Sequence, residues 1–155
     1  MKDDYSRMVV GFVFDERARN VLLVLKENPS WQRGIYNGTG GKCKEGEPFV
    51  DAIVREANEE IDLVSTPDQW THFLTLYSGK VTVAFFFTRV ETCVLTATRS
   101  KTKEAITIIP RRSLADYKTI PNLQWLIPLA AAWEESLLPV KYAQAIEVFE
   151  VQKSS

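Results

Sequence analysis

Cysteine is scarce in this chain, with only Cys43 and Cys93 among 155 residues. Two thiols make no disulfide framework, and neither has metal-ligand spacing to a partner. Cys43 reads as a small packed residue rather than a nucleophile. No apolar run approaches the roughly 20 residues of a membrane span. The opening Met-Lys-Asp-Asp-Tyr lacks the apolar core of a secretory signal. An intracellular, cytoplasmic protein with no membrane partner is therefore expected. Charge of one sign is missing as well, since 19 Lys and Arg against 20 Asp and Glu leave a formal net charge of −1. No global field then draws the chain to nucleic acid or an anionic surface. Basic residues gather only locally, at Arg99, Lys101 and Lys103 and at Arg111-Arg112, as solvated strand ends would. A nucleic-acid partner is disfavoured. Repeats, low-complexity tracts and long linkers are absent too. With 45% hydrophobic and 25% charged residues, the composition is that of a folded domain. Residues 1–155 read as one domain with a proper core.

What is present falls into short, well-punctuated elements. Residues 8–14 form an apolar run that predicts a buried strand, and residues 21–25 predict a second, with a polar turn between them. Residues 28–41 change to Pro, Ser and Gly and predict a loop. Phe49, Ala52, Ile53 and Ala57 fit one face of a helix running to about Ile61, with Pro48 in its first turn. Strands are predicted at 71–77 and 81–90 around a Ser78-Gly79 turn, and again at 105–109. A short helical turn at 112–116, a helix at 126–135 that tolerates Pro128, and an alternating edge strand at 145–151 complete the order. Strands, helix, strands and a second helix indicate an α/β fold with a mixed sheet between helices.

The richest stretch is residues 41–63. Glu56, Glu59 and Glu60 crowd one end of the predicted helix, where residues three and four apart share a face. Like charges so placed repel unless a cation sits among them. A hard divalent ion that takes oxygen ligands, such as Mg²⁺, is the natural occupant. The spacing Gly41, five residues, Glu47, seven residues, Arg55-Glu56, two residues, Glu59-Glu60 resembles the box of the Nudix hydrolases. That family hydrolyses nucleoside diphosphates linked to another moiety. One position departs from the pattern: Asp62 stands where the family usually has Gly. Asp is among the few residues besides Gly that tolerate the left-handed conformation of a helix cap, so the departure concerns helix termination more than chemistry.

The resemblance implies an α/β/α sandwich whose box forms a loop–helix–loop. It implies that Glu56, Glu59 and Glu60 bind the metal together with the Gly40 carbonyl. Mg²⁺ is the expected cofactor, with Mn²⁺ as the other candidate. Arg55 would orient a glutamate, either Glu59 or Glu47, the plain alternative being a surface pair with Asp51 or Glu59. Glu104 matches a late glutamate that completes the site in MutT-type members, against the alternative of an ordinary loop residue. Lys26 and Lys42 would each meet phosphate as point charges or else be merely solvated.

Residues 35–47 are similar to the stretch before the helix in oxidised-purine nucleoside triphosphatases, where an asparagine at the position of Asn37 holds a purine edge. An amide offers a donor and an acceptor together, as that role requires. Pro121 to Pro128 resembles the segment closing the base pocket in those enzymes. It departs from them where specificity is set, with Asn122 and Leu123 in place of two acids and Ile120 in place of an aromatic. Trp125 would stack on a base or else sit in the core. Asn122 would read a base or else cap the following helix. The resemblance favours a Mg²⁺-dependent pyrophosphohydrolase that cuts a (deoxy)nucleoside triphosphate to monophosphate and pyrophosphate. Cleavage of a nucleoside diphosphate sugar such as ADP-ribose, or of a dinucleotide, is the enzymatic alternative. A non-catalytic nucleotide sensor is the alternative of another class, and the intact glutamates count against it. A monomer and a homodimer both remain open.

Overall fold

The computed structural model describes residues 5–133. Strand β1 (Ser6–Phe14) is followed by β2 (Asn20–Leu25), β3 (Tyr36–Asn37) and β4 (Thr39–Lys42). Helix α1 (Phe49–Ile61) leads to the hairpin of β5 (Thr71–Ser78) and β6 (Val81–Arg89). Helix α2 (Thr92–Thr96), strand β7 (Ile106–Pro110) and helix α3 (Leu123–Ala131) complete the order. The strands run β3-β2-β1-β6-β5 across the sheet, with β4 also pairing β1 and β7 also pairing β2. β1 and β6 are parallel and the other pairings antiparallel, so the sheet is mixed as expected.

Both faces of the sheet are covered, which is why β1 and β2 read as apolar runs rather than alternations. On one face Val9, Val13, Leu22, Val24, Ala84 and Phe86 meet Ala52, Ile53, Ala57 and Ile61 of α1. On the other, Phe12, Phe14, Leu23 and Phe87 meet Leu123, Leu126, Ile127 and Ala130 of α3. The period of two along each strand divides its side chains between the two layers. Each fully buried large side chain contributes about 1.5–3 kcal/mol. The α/β/α sandwich follows from this division.

Several boundaries differ from the sequence expectation. The stretch 28–41 is not one loop, because it holds a 3₁₀ turn (Ser30–Gln32) and both β3 and β4. Glycines at 38, 40 and 41 masked strands whose backbones still pair. Pro48 is the residue capping α1 from outside, with extended backbone, rather than part of its first turn. The hairpin turns on Gly79-Lys80, since Ser78 already pairs with Val81. The second helix begins at Leu123, three residues before its expected start. Helix α2 was not expected, as β-branched Thr92, Val94 and Thr96 have low helix propensity. The helix end at 134–135 and the strand expected at 145–151 lie outside the described residues.

Candidate active site

The C-terminal half of α1 lies over β4. Its end is set by Asp62, which takes the left-handed conformation (φ 58°, ψ 33°) and donates its N–H to the Ala57 carbonyl. This is the cap expected of a residue standing in for glycine. Lys101 fastens the same end, pairing with Asp62 at 3.1 Å and donating to the Asn58 carbonyl at 3.0 Å.

Arg55 spends its guanidinium donors within the box. Its Nε and Nη2 donate to the two oxygens of Glu47, each at 2.8 Å. Its Nη1 donates to Glu56 at 2.9 Å and Glu59 at 3.1 Å, and Nη2 also reaches the Lys42 carbonyl at 3.1 Å. The sequence left Glu47 and Glu59 as alternative partners, and Arg55 serves both, while no pair with Asp51 forms. Hydrogen bonds from Arg55 hold the Glu47 carboxyl down at about 2. The Glu47 bonds in turn raise Arg55 above the usual guanidinium range. Glu59 is the open member of the set, with 57% of its side chain exposed.

Glu60 faces the other way, into the sheet. It accepts from Thr39 Oγ1 at 2.7 Å and from the Gly40 N–H at 3.3 Å, and Lys26 Nζ stands 3.6 Å away. Burial pushes its carboxyl above the ordinary range, against the opposing pull of Lys26 and Thr39. Lys26 in turn binds Glu104 at 2.8 Å. The antiparallel register of β2 and β7 pairs Val24 with Ile106, which brings Glu104 opposite Lys26. Burial would raise Glu104, but Lys26 and the backbone N–H groups of Glu27 and Asn28 outweigh it and hold the carboxyl low. Glu104 therefore belongs to the cluster, although its oxygens are committed to Lys26 and the chain behind it.

Gly41 and Gly40 make room for this arrangement. A Cβ at Gly41 would come within 2.7 Å of a Glu56 oxygen, and Gly40 has φ +152°. Beside this strand lies a cavity of about 210 Å³, bordered by Lys26, Asn28, Gln32, Asn37 and Gly40 among others. Within it Asn37 accepts from the Gly38 N–H at 2.8 Å and donates to Gln32 at 3.3 Å. Gln32 is buried and was missed by sequence reasoning, since nothing but a loop was legible around it. Its neighbour Trp31, 68% exposed between cavity-lining Pro29 and Gln32, was missed for the same reason. Three expected substrate residues do not border this cavity. Lys42 lies against a separate depression with Arg7 and Cys43, whose thiol burial pushes up. Asn122 stands at the N-cap position of α3, where the capping alternative put it, although its side chain makes no capping bond. Trp125 lies within α3 and is 42% exposed, so the core alternative does not hold for it.

Five carboxylates and two cations make up the cluster. Negative charge is in excess, and every free donor is an oxygen, which is the chemistry that suits Mg²⁺ or Mn²⁺. Among the described residues, no group of three His, Cys, Asp or Glu side chains is disposed to hold one ion. Arg55 gathers Glu47, Glu56 and Glu59, while Lys26 gathers Glu60 and Glu104. The donor set fits a hard divalent ion in kind.

A sequence model of the NUDIX domain matches residues 4–141. No curated protein sequence matches the chain. Solved structures share its fold at low identity. A MutT structure from work on Aliivibrio salmonicida and Vibrio cholerae is 20% identical, with a TM-score of 0.67 over 83% of this chain and 98% of that one. A mutator MutT protein of Bacillus halodurans is 13% identical, with a TM-score of 0.66 over 93% and 88%. The NUDIX domain of Shewanella oneidensis NrtR, complexed with ADP ribose, is 16% identical, with a TM-score of 0.68 over 81% and 86%.

Proposed function

We propose, on the premise that this chain belongs to the NUDIX domain family and is a hydrolase of phosphoanhydride bonds, that it cuts a (deoxy)nucleoside triphosphate to monophosphate and pyrophosphate. The observation that carries this reading is the small cavity beside the glutamate cluster, its mostly apolar lining carrying the amides of Asn37 and Gln32. At about 210 Å³ it falls below the ~300–1,000 Å³ of sites that enclose a whole drug-sized ligand. Such a space suits one base rather than both halves of a dinucleotide. Asn37 and Gln32 supply the amide donors and acceptors that a base edge requires.

Glu56, Glu59 and Glu60, with the Gly40 carbonyl, would hold Mg²⁺ or Mn²⁺. A divalent ion held there would supply neutralisation of diphosphate charge and activation of water. The chain's own residues do the remainder. Arg55 fixes Glu56 and Glu59 in place through charge-assisted bonds. Lys26 and Glu104 position Glu60 from behind, which makes Glu104 a positioning residue in this reading. Thr39 and Gly40 direct the same carboxylate.

A second reading has one observation in its favour, the likeness in fold to a NUDIX domain complexed with ADP ribose. Chromatography of products from nucleoside triphosphates, ADP-ribose and a dinucleoside polyphosphate, each with Mg²⁺, separates the two. Monophosphate plus pyrophosphate from one triphosphate is the expected result. AMP plus ribose phosphate would move the chain to the second reading, and binding without turnover would make it a sensor.

A further inference from the structure

The β1–β2 turn and the end of β7 enclose another concavity, away from the glutamates. Its volume is about 410 Å³, and Arg19, Asn20, Pro110, Arg111 and Arg112 line it. That volume is within the range of small-ligand sites. Asn20 opens β2 and Lys26 follows its end, so the two places lie roughly 20 Å apart along the strand.

The turn holds its arginines in place through the backbone. Asp15 accepts from the Arg19 N–H at 2.8 Å and from Asn20 Nδ2 at 2.7 Å, so both its oxygens are engaged. The Arg111 N–H donates to the Arg19 carbonyl at 2.7 Å, and Arg111 Nε donates to the Ala18 carbonyl at 2.9 Å. That last bond fixes one edge of the Arg111 guanidinium and leaves its terminal amino groups for another partner. Among the described residues, no ion pair involves Arg19, Arg111 or Arg112. Three guanidinium groups bordering one concavity repel each other, in a chain whose net charge is only −1. An anion relieves that repulsion. Arginine forks match phosphate oxygens in bidentate pairs, which a scatter of lysines would not do.

We infer that this concavity is an anion site for a small phosphate-bearing ligand, gripped by Arg19, Arg111 and Arg112 and separate from the glutamate cluster. It does not depend on which nucleotide the chain hydrolyses. The phosphate arrives either as a free anion or on a nucleoside.

The test titrates the full chain with inorganic pyrophosphate and, separately, with AMP, in EDTA and at constant ionic strength, following backbone amide shifts. Expected are saturable shifts at residues 18–20 and 111–112, equal within twofold in Glu59→Gln. In the double variant Arg19→Ala, Arg112→Ala the affinity falls at least tenfold. Lysines at both positions restore only part of it. Both residues are exposed and only the backbone of Arg19 supports the turn, so the double variant keeps the fold. Tight binding of AMP supports the site with a nucleotide as its source of phosphate, and binding of pyrophosphate alone supports it with the free anion. Shifts confined to the glutamate cluster, equal affinity in the double-alanine variant, or the same shifts from added chloride would overturn the assignment.

Discussion

Arg55 commits its donors to the box, and that fixes what losing any one carboxylate does. Glu59 is the most exposed of them and is held only through Arg55 at 3.1 Å. Removing its charge costs under about 1 kcal/mol of stability, as for other exposed pairs. Loss of an oriented metal carboxylate typically costs far more in turnover. Glu59→Gln should therefore lower kcat by about 100-fold while its melting curve overlays the parent's. Steady-state kinetics with Mg²⁺ would check it, and near-normal turnover would remove Glu59 from the metal site. Trp31 makes a different kind of prediction. An indole 68% exposed, next in sequence to cavity-lining Gln32, is a ready stacking surface for a base. Base–aromatic stacking is worth about 1–3 kcal/mol, so Trp31→Ala should raise KM roughly 5- to 150-fold and leave kcat nearly unchanged. An unchanged KM would assign the exposure to chance. The box was legible because its six positions sit within about twenty residues, most of them on one helix. The partnership of Lys26 with Glu104 was not, since it spans 78 residues and exists only through the β2–β7 register.

Among elements, β4 shows how a glycine run can be a strand with a purpose. Sequence reading took 28–41 for a loop, because glycine is depleted in strands and has no side chain to pattern. Yet Met8 to Gly11 pair with Lys42 to Thr39 across four registered positions. The absence of side chains lets α1 lay Glu56 directly on the strand. The nearest atoms to a methyl at Gly41 would be the far end of that flexible carboxylate, at 2.7–2.9 Å. The strand's backbone bonds would survive, and the carboxylate would be displaced. Gly41→Ala should thus reduce kcat at least tenfold with a melting midpoint close to the parent's. A loss of both together would place the cost in strand pairing rather than in Glu56. Helix α1 was legible to its last residue because the apolar period and the Asp62 cap agree there, even though three glutamates near its C-terminus oppose the helix dipole. Helix α2 carried no such agreement, and its one buried anchor, Leu95, is a tertiary fact.

Across the whole molecule, stability and chemistry pull on Glu60 in opposite directions. Burial raises its carboxyl above the ordinary 4.5, despite Lys26 and Thr39. A raised acid contributes its stability below the unfolded value and loses it as pH rises through the folded one. At neutral pH and without metal, the charged Glu60 is therefore a burden on the fold. Glu47 has the reverse sign. Arg55 depresses it from 4.5 to about 2, so its stabilisation is present above 4.5 and fades as pH falls toward 2. Glutamine at either position removes the charge while keeping the shape. In Glu60→Gln the side-chain amide oxygen can still accept from Thr39 and Gly40. In EDTA at about pH 8, Glu60→Gln should melt above the parent, with the gap closing near pH 4. Glu47→Gln should melt below it, with its gap closing only near pH 2. A difference of about 1 kcal/mol would appear as roughly 2–4 °C for a chain of this size. Differential scanning calorimetry across that pH range reads both curves. If Glu60→Gln melted below the parent at pH 8, attraction to Lys26 would outweigh burial, and Glu60 would be a structural ion pair. A gain in stability together with lost turnover would mark Glu60 as a charge that the fold keeps for catalysis alone.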